Sequence, residues 1–184
     1  MRVSPPPTSE RSLEARIRAA VREIPDFPAA GIQFKDITPV LADPLLMRDV
    51  IAAMSSPFVA ADITHVVAME SRGFIFGMPV ALTLQAAFAP ARKPGKLPWR
   101  TEREAYVLEY RRDVLEMHAD AIPSGARVLV VDDVLATGGT AAATCRLIER
   151  LGGTVQGIAL LGELGFLEGR ALLPGRVVHS LVRF

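Results

Sequence analysis

The stretch from Val128 to Thr140, Val-Leu-Val-Val-Asp-Asp-Val-Leu-Ala-Thr-Gly-Gly-Thr, holds the densest chemistry in this chain. An apolar run suited to a buried strand ends in two acids, Asp132 and Asp133, followed by small residues at the start of a helix-compatible segment. In the loop Ala136, Thr137, Gly138, Gly139 and Thr140, the glycines let the backbone approach an anion closely. Free amides and the positive end of the helix macrodipole then face the ligand, with two threonine hydroxyls as further donors. A phosphomonoester suits such a loop. Carboxylates at the carboxyl end of a parallel strand stand where open α/β sheets bind ligands, and they accept hydrogen bonds from ribose hydroxyls. The plainer alternative is a turn capped by the acids and merely shaped by the glycines. No Gly-Lys-Ser/Thr follows and Gly-x-Gly-x-x-Gly is missing, which sets aside the P-loop and the dinucleotide fingerprint.

The elements that must position these groups alternate. Arg127–Val131 reads as a buried strand, Thr140–Leu151 as a helix closed by Gly152 and Gly153, and Val155–Leu161 as the next strand, together a right-handed parallel unit. Upstream, Ile63–Met69 is a short apolar strand. The turn Glu70-Ser71-Arg72-Gly73 then leads to a helix-compatible stretch around Pro79 to Ala87, with another strand starting at Ala86–Ala89. Arg92–Arg112 is polar and long enough to be a functional flap or a β-hairpin, and Val177–Val182 adds a late strand. Leu13, Ile17, Val21 and Ile24 predict an amphipathic helix ending before Pro25, followed by an ordered loop without regular elements to Pro44. Pro5, Pro6 and Pro7 mark a loose extended tail. The expected fold is α/β, a mostly parallel twisted sheet flanked by helices. It forms one domain over 1–184, with a tail at 1–11, an N-terminal helix and hood at 12–44 and a flap at 92–112.

The 184 residues fit a single domain, and 50% hydrophobic against 22% charged is ample for a packed core. Lys+Arg number 21 and Asp+Glu 20, so the net charge of +1 offers no whole-molecule field for a nucleic acid or an anionic membrane, and neither is expected as a partner. Gly73–Ala91 carries no formal charge and is as long as a spanning helix. Gly77, Pro79, Pro90, Thr83 and Gln85 make it a buried helix followed by a buried strand. With Cys145 the only cysteine and no secretory leader evident, cytoplasmic residence is expected.

At Val128–Thr140 the sequence resembles the type I phosphoribosyltransferases, and most closely their adenine-using branch. Four further segments carry that resemblance: Phe27-Pro28 with Gly31–Pro39, Glu70–Phe74, Arg92–Pro98, and Leu108-Glu-Tyr110 with Leu115-Glu-Met-His118. The resemblance implies transfer of a phosphoribosyl group from phosphoribosyl pyrophosphate to adenine, giving AMP and diphosphate. It also implies Mg2+ bound mainly through the substrate, with no direct protein metal site, and a homodimer. On this reading Asp132, Asp133 and the loop from Ala136 to Thr140 hold the ribose and its phosphate. Ser71, Arg72, Arg92, Lys93 and Lys96 hold the diphosphate, because a multiply charged anion needs several cations and donors. A solvated basic turn reads Lys93 equally well. Gln33, Phe34 and Lys35 contact adenine, the phenylalanine offering a flat face that would otherwise read as plain core.

Glu109 is the implied acid-base residue, Tyr110 helps to close the flap, and the Glu70–Ser71 peptide is expected to be cis. Two departures stand out: Arg111 where the family commonly has glycine, which can stiffen the flap, and Ala30 where it has proline. The rivals are a phosphoribosyl-pyrophosphate-sensing DNA regulator, for which no helix-turn-helix module is present, and a transferase for oxopurines, which present an acceptor where adenine presents a donor.

Overall fold

The Ser12 hydroxyl accepts a hydrogen bond from the Ala15 amide at 3.2 Å and so caps the first helix, α1 (Leu13–Ala20). The computed structural model describes residues 11–108 and 111–184, and the chain divides into two units, Met1–Val50 and Ile51–Phe184. In the first unit the helix ends earlier than the spacing of Leu13, Ile17, Val21 and Ile24 predicts. Val21 is already extended, and β1 (Arg22–Ile24) pairs antiparallel with β2 (Phe34–Asp36). A ladder to a distant segment outweighs local helical periodicity here. Pro25–Pro44 is likewise not free of regular structure. Besides β2 it holds the single turn α2 (Thr38–Leu41), which starts where the Asp36 carboxylate accepts from the Thr38 amide at 2.9 Å. The Asp43 carboxylate accepts from the amides of Leu45 and Leu46, each at 3.0 Å, and α3 (Pro44–Ser55) runs from there into the second unit.

The second unit is built on a five-stranded parallel sheet in the order β4-β3-β7-β8-β9. Its strands are β3 (His65–Met69), β4 (Ala87–Ala91), β7 (Arg127–Leu135), β8 (Thr154–Glu163) and β9 (Val178–Arg183). Val66 to Met69 and Val128 to Val131 are buried on both faces, hence their unbroken apolar runs. Successive strand residues point to opposite faces, and each face carries its own helix. On one, α4 (Gly73–Thr83) lies so close that a Cβ at Gly77 would stand 2.5 Å from the Ala68 Cβ. On the other, Val67, Met69, Val130 and Ile158 pack with Cys145, Leu147 and Ile148 of α5 (Gly139–Arg150).

α4 begins well before Pro79, so the expected start there is corrected. The helix is apolar nearly all round and gives no periodic signal, and Pro79 sits inside it. The uncharged stretch Gly73–Ala91 is α4 followed by β4, and no helix among the described residues is long and apolar enough to cross a membrane.

The polar segment after β4 is a short loop leading to an antiparallel hairpin, β5 (Thr101–Leu108) and β6 (Arg111–His118), which extends past Arg112. Its base is fastened to α5. The Glu104 carboxylate accepts from Arg146 Nε at 2.7 Å and also from Arg150, and the Arg146 hydrogen bond leads in holding its carboxyl below the usual range. The strand order reverses between β3 and β7, and α/β sheets bind ligands at the carboxyl edge of such a reversal.

Candidate active site

β7 continues to Leu135, so the acid pair lies within the strand and not beyond its end at Val131. Asp133 is 4% exposed and its carboxylate is paired with Arg72 Nε. Asp132 Oδ1 accepts from the Asp133 amide at 2.9 Å and faces the start of α4, where a Cβ at Gly73 would stand only 2.7 Å away. Burial first, and then the adjacent Asp133 charge, push the Asp132 carboxyl well above the usual carboxylate range. The Asp133 amide and Arg72 pull the other way and do not prevail.

After Leu135 the chain bends through Ala136 and Thr137 into Gly138, whose φ of +84° is the left-handed conformation that favours glycine. Gly138 is the N-cap of α5. No side chain caps this helix and no acid stands in its first turn. A cavity of about 110 Å³ opens there, lined by Ala136, Thr137, Gly138 and Thr140 together with Asp132 and Met69.

A second cavity, of about 260 Å³, shares Asp132 and Thr140 with the first and continues to Ser71, Arg72, Lys93 and Tyr106. The Glu70–Ser71 peptide in its wall is cis. Its basic residues each hold a carboxylate. Arg72 is on Asp133. Glu70 accepts from Arg92 Nε at 3.0 Å and from the Lys93 amide at 3.1 Å. Lys93 Nζ bonds Asp113 and reaches the Tyr106 hydroxyl at 3.2 Å.

Burial raises the Glu70 carboxyl, but the Arg92 and Lys93 hydrogen bonds outweigh it and leave a net lowering. For Asp113, burial is likewise overcome, chiefly by Lys93, and its carboxyl is lowered. Lys93 in turn is raised: burial opposes its charge, and the bonds to Asp113 and Tyr106 override that. Lys96 is exposed, its carbonyl accepts from Arg92 Nη1 at 3.1 Å, and its charge reaches Glu70. The loop is held to β6 by Glu116, a carboxylate 1% exposed that accepts from the Gly95 amide at 2.7 Å and Arg103 Nε at 3.0 Å.

Thus Ser71, Arg72, Lys93, Asp132, Asp133 and Thr140 line one cavity, and Ala136, Thr137 and Gly138 the adjoining one. Gly139 opens the helix beside them, and Arg92 joins them through Glu70. Gln33, Phe34 and Lys35 belong to the first unit. There Gln33 is exposed, Phe34 meets Phe27 edge to face at 5.1 Å, and Lys35 is paired with Glu23. Glu109, Tyr110 and the Arg111 side chain lie outside the described residues.

Sequence reasoning missed Glu70, Tyr106, Asp113 and Glu116 as structural partners of the cations. No local signal marked them: alternation with Leu115 and Met117 assigns Glu116 to the solvent side of its strand, and its burial comes from tertiary contacts. A further cavity of about 510 Å³ lies in the first unit between Arg16, Leu45 and Asp49 and contains none of the candidate residues.

Residues 38–163 match the model of the phosphoribosyl transferase domain. An adenine phosphoribosyltransferase of Myxococcus xanthus is 56% identical over 179 residues, 97% of each chain. Among solved structures, adenine phosphoribosyltransferase from Rhodothermus marinus superposes with a TM-score of 0.90 at 54% identity, covering 94% of this chain and 98% of that one. The Saccharomyces cerevisiae enzyme, complexed with an imino-altritol bisphosphate and adenine, gives 0.86 at 38% identity over 92% and 98%. The matched region spans the acid pair, the glycine loop and the cation-lined cavity, and the chain belongs to the phosphoribosyltransferase family, among its adenine phosphoribosyltransferases.

Proposed function

We propose that the chain catalyses purine salvage in the cytoplasm, converting adenine and phosphoribosyl pyrophosphate to AMP and diphosphate. The observation that carries this reading is the union, at the carboxyl edge of β3 and β7, of a buried acid pair, an uncapped glycine-opened helix start and a cluster of cations. The amides and hydroxyls of Thr137 to Thr140 hold the 5'-phosphate, and Asp132 and Asp133 accept hydrogen bonds from the ribose hydroxyls. Ser71, Arg72, Arg92, Lys93 and Lys96 take the diphosphate. As it leaves the anomeric carbon, positive charge develops on the sugar and negative charge on the leaving group. These fixed groups stabilise the departing anion and hold the sugar in line with the base.

Among the described residues no group of three or more His, Cys, Asp or Glu could hold a metal ion. Asp132 and Asp133 offer two hard oxygens. With those oxygens beside it, a Mg2+ held mainly through the substrate's own oxygens would be accommodated there and would supply neutralisation of charge on the diphosphate.

Phe34 stacks on adenine while main-chain groups of Gln33 and Lys35 read its edge. Glu109, in the expected flap segment 92–112, moves the proton at the imidazole nitrogen of the base, and Tyr110 helps to close that flap. The enzyme acts as a homodimer. Incubation of the purified protein with phosphoribosyl pyrophosphate, Mg2+ and each of adenine, hypoxanthine, guanine and xanthine tests the reading. AMP alone is expected, and preference for an oxopurine overturns the assignment of the base. Glu109→Ala is expected to lower kcat by about 100-fold or more with little change in phosphoribosyl pyrophosphate affinity; equal activity removes the proton-transfer role.

A further inference from the structure

Gly138 and Gly169 meet backbone to backbone. A Cβ on Gly138 would stand 2.2 Å from the Gly169 carbonyl oxygen. One on Gly169 would stand 2.2 Å from the Ala136 carbonyl oxygen and 3.1 Å from the Gly138 nitrogen. Both obstacles are main chain, so no side chain can swing aside to relieve them. The turn that carries Gly169 is itself fastened to the sheet. Arg170 donates through Nε to the buried Glu163 carboxylate at 2.6 Å, through Nη1 to the Val178 carbonyl at 3.1 Å and through Nη2 to the Ser180 hydroxyl at 3.1 Å. Three donors of one planar fork thus grip the end of β8 and the start of β9. Just upstream, the Leu164 amide donates to the carbonyl of Leu135, the last residue of β7, at 2.8 Å.

We propose that Gly169 is a positioning residue for the 5'-phosphate: its main chain is a mould, fixed to β8 and β9 by Arg170, against which Ala136 to Gly138 are set. The inference rests on the reading of that loop as the phosphate cradle. Donors around an anion are effective only when aimed to within about half an ångström, and main-chain donors take their aim from whatever lies behind them. An alanine at 169 displaces the loop by roughly an ångström, a misplacement that costs on the order of 100-fold when it reaches a binding geometry.

Gly169→Ala is therefore expected to raise KM for phosphoribosyl pyrophosphate about 10- to 100-fold, while kcat and KM for adenine at saturating sugar substrate change less than about threefold. The control is Gly165→Ala in the neighbouring turn, whose new Cβ would have as its three nearest neighbours atoms of the Arg183 side chain, at 2.4 to 3.2 Å. It is expected to leave all three constants within about twofold. An unchanged KM for phosphoribosyl pyrophosphate in Gly169→Ala overturns the proposal, as does a loss confined to kcat. Should that variant not fold, hydrogen exchange on the wild-type protein decides. With ribose 5-phosphate added, slowed exchange at Gly169 to Ala171 together with Thr137 to Ala141 supports the mould, and slowing in the loop alone overturns it. If ribose 5-phosphate does not bind the wild-type protein at all, the phosphate reading fails first, and Gly169 with it.

Discussion

At one end of the proposed cradle the first turn of α5 carries neither a side-chain cap nor an acid, whereas at the other end Arg72, Arg92 and Lys93 each already hold a carboxylate. The first end is made of main chain and is ready before any ligand arrives. The second is made of charged side chains whose partners, Asp133, Glu70 and Asp113, neutralise them. An anion arriving there exchanges one partner for another. That lowers the gain per contact, and the carboxylates keep the cations from standing as an unpaired cluster. Shape should therefore govern the phosphate end and charge the diphosphate end.

The largest expected effect is at the shaped end. Gly138→Ala must accommodate a Cβ at positive φ, 2.2 Å from the Gly169 carbonyl, and should raise KM for phosphoribosyl pyrophosphate about 100-fold in steady-state assays. A rise below about threefold would mean that loop shape does not hold the phosphate. At the charged end, Arg72→Ala should cost about 10- to 100-fold in kcat/KM. It should also lower Tm by several degrees, because a buried Asp133 loses its guanidinium at a cost of roughly 1–3 kcal/mol. Adding Asp133→Asn should restore Tm without restoring activity, and recovery of both would contradict the division of labour.

Asp132→Asn should move stability and function in opposite directions. The folded-state pKa of Asp132 is raised, so the fold binds that proton more tightly than the unfolded chain does. The resulting penalty grows as pH climbs above the unfolded value of about 3.9. At neutral pH the asparagine removes it, and Tm should rise by about 2–4 °C, the shift of roughly 1 kcal/mol in a chain of this length, while ribose 5-phosphate binds more weakly. A fall in Tm contradicts the sign. The smallest effect belongs to Asp113. Its folded pKa is lowered, so its contribution to stability is fully present above the unfolded pKa and lost as pH falls through the folded one. Denaturation curves of wild type and Asp113→Asn should differ at neutral pH and converge as pH falls through the lowered folded-state value. A gap that persists in acid excludes the Lys93 pair as its source.

Much of the second unit was legible in the residues alone. Short apolar runs such as Val128–Val131, rich in β-branched residues, suit strands buried on both faces; the acids after them lie near the end of β7 and the glycines at its junction with α5. α4 was placed too late because a helix apolar on all sides has no periodicity to read and Pro79 suggested a start. β1 and β2 were missed for a different reason. Three-residue strands are fixed by each other, as Ile24 is by Phe34, and not by any local pattern. The phosphate loop showed itself through residue type. The carboxylates that neutralise the cations did not, because Glu70, Asp113 and Glu116 meet their partners only through tertiary contacts.

The central claim is that main-chain donors at the start of α5 hold the phosphorylated end of the sugar. Titration of ribose 5-phosphate into isotopically labelled protein, followed through the backbone amide resonances, tests it directly. The largest shifts are expected at Gly138, Gly139 and Thr140, lost in Gly138→Ala. Saturable binding that leaves those amides unmoved and perturbs instead the cavity between Arg16 and Asp49 would contradict the account.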